Sequence, residues 1–321
     1  QGKTDIATCY KATTLDPDEG VYSDRHGVHR LRIDLKCGVM VGKFADDAGN
    51  TAQEFYTNRT VVDLMAEILQ PRPHESIYDP TCGSGGMLIR CLTHLKDKGE
   101  EWQGVHVFGQ EINGLTSSIA RMNLYLNGIE DFSIACADTL TQPAFLDGSQ
   151  LRKFDIVLAN PPYSIKQWNR EAFANDKWGR NFLGTPPQGR ADYAFIQHIL
   201  ASLDNSTGRC AILLPHGILN RKEEQKMRQG LVERDLVECV IGLGKNLFYN
   251  SPMEACILVC RTQKAPERKN KVLFVDGRKY VTRQGTESYL TEEQFTVIAD
   301  AYANFANIEG LCAVATSEEI K

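Results

Sequence analysis

The sequence predicts an α/β protein with a doubly wound, mostly parallel seven-stranded sheet. Two observations carry this prediction. From residue 40 onward, short apolar runs alternate with segments of helical periodicity, as in parallel βαβ units. Acidic, polar or glycine-rich turns follow several of these runs, as they do at the ligand-binding edge of open α/β sheets. A composition of 42% hydrophobic and 24% charged residues is typical of a globular chain.

Each predicted element has a local reason in the sequence. The first helix, Arg59–Leu69, carries apolar residues on overlapping helical spacings and ends before Pro71. A short strand, Ser76–Asp79, then runs through a glycine-rich turn into a second helix, Gly86–Lys96. The further predicted strands are Val105–Glu111, Phe132–Asp138, Phe154–Asn160, Gly208–Pro215, Glu238–Leu243 and Ala255–Arg261. The further predicted helices are Leu115–Leu126, Ala191–Ser202 and Lys222–Leu231.

These elements form one predicted domain over residues 40–280. Residues 1–39 have mixed polarity and little periodicity, and residues 281–321 are predicted to be a helical C-terminal extension. The stretch Ser164–Arg190 has no periodicity and is rich in Gly, Pro and Trp. Loops of this length inside a compact domain are more often functional than idle, so we expect a functional loop there.

Charge and cysteine content limit the possible functions. The 36 Lys and Arg residues against 41 Asp and Glu residues give a net charge of −5, which offers no general attraction for nucleic acid. The longest apolar runs are far shorter than the roughly 20 residues that a membrane helix needs, and we predict a cytoplasmic protein without membrane association. The ten cysteines contain no CxxC pair. We therefore expect reduced thiols and no metal, since Cys9, His26, His29 and Cys37 make only a loose cluster.

The turn after the first strand is a candidate binding site. Glycines at the carboxyl end of a parallel strand allow the backbone to approach a ligand closely, although a tight turn without function is the plainer alternative. Its glycine spacing differs from the dinucleotide pattern G-x-G-x-x-G and fits a nucleoside without a diphosphate better. The candidate residues of this turn are Asp79, Thr81, Gly83, Ser84, Gly85 and Gly86.

Acidic residues also end the next two strands. Glu111 stands where the ribose of a nucleoside offers its two hydroxyls, and Asp138 is suited to bind an exocyclic amine. Either acid alone could be a helix cap or a surface charge. Three acids at three successive strand ends, Asp79 included, favour a nucleoside site.

The fourth strand ends in the most specific motif of the chain, Asn160, Pro161, Pro162 and Tyr163. Each proline keeps the residue before it out of the helical region, so the turn is extended and rigid. Such a turn holds an Asn side-chain oxygen and a backbone carbonyl as hydrogen-bond acceptors beside an aromatic ring. A structural Pro-Pro turn is the alternative.

These motifs resemble those of the amino-group methyltransferases that use S-adenosylmethionine. Over about residues 40–275 the chain most closely resembles the modification subunit of type I restriction-modification systems, which are adenine-N6 DNA methyltransferases. The matching segments are Glu54–Thr57, Tyr78–Leu88, Asn160–Tyr163, Asp192–Phe195 and Asn246–Tyr249. Asn58 and Gly244-Lys245 depart from the family pattern, which usually has proline and leucine-proline at these places.

The resemblance implies roles for the site residues. Phe55, Tyr56 and Thr57 match the segment that packs on the methionine end of the cofactor, and Asp79 with Gly83–Gly86 matches the main cofactor loop. Glu111 is implied to hold the ribose, and Asp138 the adenine, of the cofactor. Asn160–Tyr163 matches the catalytic tetrapeptide.

The resemblance also implies a Rossmann-like methyltransferase fold, a helical N-terminal domain of which residues 1–39 are a remnant, and partners. The chain carries no base-reading module after its last predicted strand, so we expect a separate DNA specificity subunit, with a second copy of the chain and a restriction subunit. Duplex DNA hides adenine N6, so the target base must flip out, with Tyr163 as its stacking platform. Methylation of RNA or of protein glutamine, or a non-catalytic cofactor-binding scaffold, remain alternatives.

Overall fold

A computed structural model describes residues 57–245, 247, 254–285 and 287–320, together with the backbone of residues 14–16, 21–24 and 27–30. The chain divides into two compact units, Gln1–Ala52 and Gln53–Lys321. In the described parts of the chain, no helix combines the length and the apolar character that a membrane span requires.

The described part of the first unit is a small antiparallel sheet. Its strands are β1 (Thr14–Asp16), β2 (Val21–Asp24) and β3 (Gly27–Arg30), in the order β1-β2-β3. The elements described within residues 1–39 are therefore strands, whereas the resemblance implied a remnant of a helical domain. The Thr, Val and Tyr residues in them favour extended backbone. The loose cluster of Cys9, His26, His29 and Cys37 lies outside the described side chains.

The second unit contains thirteen strands among its described residues, and nine of them form one sheet. The sheet strands are β4 (Ser76–Asp79), β5 (His106–Glu111), β6 (Phe132–Cys136), β9 (Ile156–Ala159), β10 (Arg209–Pro215), β11 (Val237–Leu243), β12 (Ala255–Arg261), β13 (Lys271–Gly277) and β16 (Cys312–Thr316). The others form two hairpins, β7 (Leu146–Asp147) with β8 (Gln150–Leu151), and β14 (Thr282–Gln284) with β15 (Glu287–Tyr289).

Eight α-helices accompany these strands in the described part of the chain. They are α1 (Arg59–Leu69), α2 (Gly86–Asp97), α3 (Gly114–Leu126), α4 (Arg170–Ala174), α5 (Asp192–Ala201), α6 (Gln225–Glu233), α7 (Glu292–Asn304) and α8 (Ser317–Ile320). Asn58 caps α1 by accepting a hydrogen bond from the backbone N–H of Thr60, and Asn113 caps α3 in the same way. All the predicted helices are confirmed within a few residues, although the segment predicted as Lys222–Leu231 begins with a 3-10 turn.

The sheet runs in the order β16-β13-β11-β12-β10-β9-β4-β5-β6. Strands β6, β5, β4, β9 and β10 are mutually parallel, and β12 is antiparallel to both of its neighbours, β10 and β11. The seven predicted strands are all present, but the predicted count of seven was too low. Strand β13 adds in parallel beside β11, and β16 adds antiparallel beside β13.

The C-terminal segment 281–321 is likewise more varied than the predicted helical extension. It holds α7 and α8, but it also holds β14, β15 and the sheet strand β16. Strand β16 covers the outer edge of β13, because its five residues pair with Lys271–Val275 and bind the backbone groups along that edge. The predicted boundary at residue 280 is therefore crossed by the main sheet.

The core lies on both faces of the sheet. Residues that alternate along a strand point to opposite faces, and in β9 Ile156 and Leu158 join one apolar cluster while Val157 and Ala159 join the other. Helices α1, α2, α3 and α7 contribute to the first cluster, and α5 and α6 to the second. The unit is thus a three-layer α/β/α domain.

The strand order reverses at β4. From β4 the chain adds β5 and β6 on one side, and it then returns to add β9 on the other side. The crevice outside the carboxyl ends of β4 and β9 is therefore the place where an open α/β sheet binds its ligand. Asp79 ends β4 and Asn160 directly follows β9.

Candidate active site

Asp79 anchors the glycine-rich turn from inside the protein. Its side chain is buried, and Oδ1 accepts a hydrogen bond of 2.9 Å from the backbone N–H of Thr81. Burial, reinforced by the nearby charge of Glu111, raises the pKa of Asp79 to about 7. The buried Thr81 hydroxyl helps to stabilise the carboxylate but makes no hydrogen bond of regular geometry to the described residues. The turn therefore holds polar groups that a ligand could satisfy.

The glycines shape the start of α2. Gly83 and Gly85 have φ angles of +53° and +81°, in the left-handed region that favours glycine. Gly86 begins the helix, and a Cβ added there would meet no described atom within 4 Å. The first turn of α2 thus borders open space at the carboxyl end of β4, where backbone N–H groups can face a ligand.

Glu111 joins the end of β5 to this turn. Its Oε2 accepts a hydrogen bond of 3.1 Å from the backbone N–H of Gly83, and its Oε1 accepts one of 2.8 Å from Asn113. Each carboxylate oxygen has further acceptor capacity, which is suited to a pair of hydroxyl donors. The structure therefore brings together Asp79, the glycine turn and Glu111.

Asp138 lies two residues beyond β6 and organises the next turn. Its Oδ1 accepts from the backbone N–H of Leu140 at 3.0 Å, and its Oδ2 accepts from the Thr141 hydroxyl at 2.9 Å. The neighbouring Thr139 hydroxyl donates to the carbonyl of Pro80 at 2.5 Å. Asp138 thus caps a turn that leads to no helix, and that turn packs against the glycine turn.

Asn160 is held at both ends of its side chain. Its Nδ2 donates to the Thr57 hydroxyl at 2.9 Å, and its Oδ1 accepts from the Tyr163 hydroxyl at 2.9 Å. Pro161 is buried and Pro162 is half-buried. The structure therefore brings Thr57 to Asn160, while Phe55 and Tyr56 lie outside the described residues.

A second set of residues supports the tetrapeptide, and no role for these residues was predicted from the sequence. The Asp192 carboxylate accepts a hydrogen bond from the backbone N–H of Ser164 and forms an ion pair with Arg221. Asp192 lies in a segment that matches the family, but its partners are distant in sequence. No local pattern around Arg221 signals this contact.

The long loop is packed, and its centre is an ion pair. Arg180 is fully buried and contacts Asp176 at 2.7 Å. Its guanidinium also donates to the carbonyls of Thr139 and Leu140 at 2.9 and 2.8 Å. Arg180 thus ties the loop that follows the tetrapeptide to the turn that carries Asp138.

The aromatic residues of this loop serve packing. Phe173 is fully buried, and Trp168 packs edge-on against it and donates its indole N–H to the carbonyl of Gln188. Trp178 stacks beneath the Arg180 guanidinium at 4.9 Å. Of the segment Asn246–Tyr249, only Leu247 is described, and it is buried.

The hydrogen-bonding groups of this site fit a nucleoside-type cofactor with an amino-acid end. Acidic groups and free acceptor capacity lie at the ends of adjacent strands β4, β5 and β6, and the helix start beside them borders open space. The ends of neighbouring strands are about 4.8 Å apart, so this row matches the length of an extended nucleoside. The fold and the arrangement of this site are of the Rossmann-like type found in S-adenosylmethionine-dependent methyltransferases.

The chain belongs to the N-6 DNA methylase family, whose sequence profile matches residues 38–321. It is 33% identical over 293 residues to the type I restriction enzyme HindI methylase subunit of Haemophilus influenzae, covering 88% of this chain and 63% of that protein. It is 32% identical over 281 residues to the MjaVII methylase subunit of Methanocaldococcus jannaschii, covering 84% and 47%.

A solved structure is similar over the same region. The type I restriction-modification methyltransferase subunit from Streptococcus thermophilus matches with a TM-score of 0.78 and 30% identity, covering 90% of this chain and 63% of that one. The predicted resemblance to type I modification subunits and the predicted methyltransferase fold are thereby confirmed. The chain spans less than two thirds of the length of these relatives.

Proposed function

We propose that this chain is the catalytic part of a DNA methyltransferase that transfers a methyl group from S-adenosylmethionine to adenine N6, within a type I restriction-modification complex. The observation that carries the proposal is the placement of Asn160. Its side chain is fixed by Thr57 and Tyr163 at the carboxyl end of β9, beside the glycine turn at the end of β4. Membership of the N-6 DNA methylase family supports the choice of substrate.

The cofactor is assigned to the row of strand ends. Asp79, Thr81 and the turn Gly83–Gly86, which includes Ser84, would hold its amino-acid end and sugar, with Phe55, Tyr56 and Thr57 packing on the methionine side. Glu111 would accept from the ribose hydroxyls, and Asp138 would accept from the adenine amine. When bound, the cofactor supplies an electrophilic methyl group on a positively charged sulfur.

The tetrapeptide orients and activates the target nitrogen. The lone pair of adenine N6 is delocalised into the ring, so the free amine is a weak nucleophile. If Asn160 Oδ1 and the Pro161 carbonyl accept its two N–H groups, the nitrogen is drawn toward a tetrahedral shape with its lone pair directed at the methyl group. The same fixed acceptors stabilise the positive charge that develops on nitrogen.

Positive charge near the tetrapeptide supports DNA as the substrate. In the loop that follows Tyr163, the side chains of Lys166, Arg170 and Lys177 are exposed, against one exposed acidic residue, Glu171. This local excess contrasts with the net charge of −5 of the whole chain. Three cations give only a modest share of the binding free energy of a DNA-binding protein. A partner must therefore supply further contacts.

We assign sequence recognition to a separate specificity subunit. The relatives are named as subunits of type I enzymes, and this chain has an acidic net charge. A second copy of the chain and a restriction subunit complete the proposed assembly, which acts on DNA in the cytoplasm.

The direct test measures transfer of a labelled methyl group from S-adenosylmethionine. The full-length protein, purified with its co-expressed specificity subunit, is expected to label DNA on adenine N6 and to leave RNA and protein unlabelled. Asn160→Ala should reduce the turnover at least about 100-fold, because it removes an acceptor of the transition state. Label in RNA or glutamine, or an Asn160→Ala variant with full activity, would reject the proposal. Cofactor binding without any transfer would indicate a scaffold.

A further inference from the structure

The backbone turn that follows the tetrapeptide is held by a buried carboxylate. Asp192, the first residue of α5, is 1% exposed, and its Oδ1 accepts a hydrogen bond of 2.9 Å from the backbone N–H of Ser164. Ser164 has a φ angle of +51°, a backbone conformation that residues other than glycine rarely adopt. Such a conformation persists where its surroundings enforce it, and Asp192 provides that constraint.

Arg221 holds the carboxylate in turn. Its Nη1 donates to Asp192 Oδ2 at 2.7 Å, and its Nη2 donates to the Ser164 hydroxyl at 3.3 Å. The arginine side chain is 13% exposed, and its Nη1 lies 3.5 Å from the buried carboxylate of Glu224. The backbone carbonyl of Arg221 accepts a hydrogen bond of 2.8 Å from Arg228, which fixes this end of the connection.

Tyr163 is therefore constrained from both sides. On one side, Pro161 and Pro162 stiffen the backbone that leads from Asn160. On the other side, the next residue, Ser164, is bound to Asp192. The contact between the Tyr163 hydroxyl and Asn160 Oδ1 depends on this turn. Loss of the Asp192 anchor would let Tyr163 move while leaving the strand-end acids and the glycine turn in place.

We propose that Asp192 and Arg221 are positioning residues for methyl transfer, which set the geometry of Asn160 and Tyr163 without contacting the cofactor. This inference rests on the proposed function, since it concerns the reaction at the same tetrapeptide. A displacement of reacting groups by about 1 Å can reduce a rate about 100-fold. The pair thus controls the turnover and leaves the affinity for S-adenosylmethionine unchanged.

A matched control is available at the opposite edge of the same sheet. Arg209 Nη2 and Glu75 Oε2 are 2.6 Å apart, with side-chain exposures of 5% and 13%. Arg209 begins β10, whereas the tetrapeptide lies at the carboxyl edge of the parallel strands. Glu75→Gln therefore weakens a comparably buried ion pair far from the reaction. A purely structural role of Asp192 would produce the same pattern of effects as this control.

The first experiment compares Asp192→Asn with Glu75→Gln in the full-length protein with its specificity subunit. Asp192→Asn is expected to lower kcat about 10- to 100-fold, with the Kd for S-adenosylmethionine within about twofold of the wild type. Glu75→Gln is expected to lower the thermal unfolding midpoint and to keep kcat within about twofold. Equal kcat values for Asp192→Asn and the wild type would overturn the inference, as would a loss of cofactor binding in step with kcat.

A second pair of variants decides the matter if Asp192→Asn does not fold. Arg221→Lys keeps a cation beside Asp192, whereas Arg221→Met keeps the length and removes the charge. Arg221→Lys should retain a larger part of kcat than Arg221→Met, with equal cofactor affinity in both. Equal kcat values in the two variants would overturn the inference. A wild-type complex that binds the cofactor but methylates no adenine would instead reject the proposed function itself.

Discussion

The hydroxyl of Tyr163 donates a hydrogen bond of 2.9 Å to Oδ1 of Asn160. This oxygen is the acceptor that we assign to the amino group of the target adenine, and one of its two lone pairs is already used within the free protein. Burial raises the pKa of Tyr163 well above its usual value, and the hydroxyl therefore stays protonated and remains a donor at neutral pH. The incoming base therefore competes with this hydroxyl for Asn160 Oδ1.

Tyr163→Phe removes the competing donor and keeps the ring. We expect KM for DNA to fall by up to about fivefold, because the base no longer displaces an existing hydrogen bond whose net value is about 1 kcal/mol. The turnover should stay within about threefold of the wild type, since the ring still stacks on the base. Steady-state methylation of a duplex that contains the recognition sequence measures both constants.

Tyr163→Leu is the control, and its kcat/KM should fall at least about tenfold, because it lacks the stacking surface. If Tyr163→Phe loses as much activity as Tyr163→Leu, the hydroxyl has a direct role in catalysis.

Thr57 fixes the orientation of the Asn160 amide. Its hydroxyl accepts from Nδ2, so Oδ1 is directed toward Tyr163. Thr57→Val keeps the shape but removes the acceptor, and the half-buried Nδ2 loses its partner at a cost of about 1 kcal/mol. We expect kcat to fall about tenfold in Thr57→Val and to stay near the wild-type value in Thr57→Ser, as measured under saturating cofactor and DNA. Equal rates in the two variants would show that Thr57 does not orient Asn160.

The raised pKa of Asp79 makes the stability of the cofactor-free protein depend on pH. The unfolded chain loses this proton near its ordinary pKa of 3.8, whereas the folded chain loses it only near 7. The folded state therefore binds the extra proton in this interval, and its stability falls as the pH rises, by roughly 1.4 kcal/mol per pH unit from this group.

Asp79→Asn should remove this contribution. Urea unfolding of wild type and variant at several values between about pH 5 and pH 8 gives the difference in unfolding free energy. The variant is expected to gain stability relative to the wild type as the pH rises toward about 7, and to lose affinity for S-adenosylmethionine. A difference that does not change with pH would show that Asp79 titrates normally in the folded protein.

Two neighbouring glycines separate backbone strain from ligand space. Gly85 has a φ angle of +81°, so Gly85→Ala should lower the unfolding free energy by about 1–2 kcal/mol. At Gly86, the added methyl group would enter open space at the start of α2. Gly86→Ala should change stability by less than about 0.5 kcal/mol and raise the Kd for S-adenosylmethionine at least about tenfold. Thermal unfolding and calorimetry measure the two effects. Unchanged cofactor affinity in Gly86→Ala would place the cofactor elsewhere.

The local sequence suffices to predict most of the secondary-structure elements and the candidate residues of the site. Strand β4, strand β12 and helix α1 have the predicted bounds, because short apolar runs, helical spacing and Pro71 act within a few residues. It also determined that Asp79, Glu111, Asp138 and Asn160 meet at one edge, since the carboxyl ends of parallel strands share that edge.

The hydrogen-bond partners of these groups follow from the three-dimensional fold. Strands β13 and β16 join the sheet through pairings between segments that lie far apart in the chain. Ser164 meets Asp192 across 28 residues, and Asn160 meets Thr57 across 103. Such contacts depend on how the layers pack and on which side chain reaches which atom. The neighbouring residues in sequence do not indicate these long-range partners. The identity of the candidate site residues is thus local, whereas their orientation is a property of the whole fold.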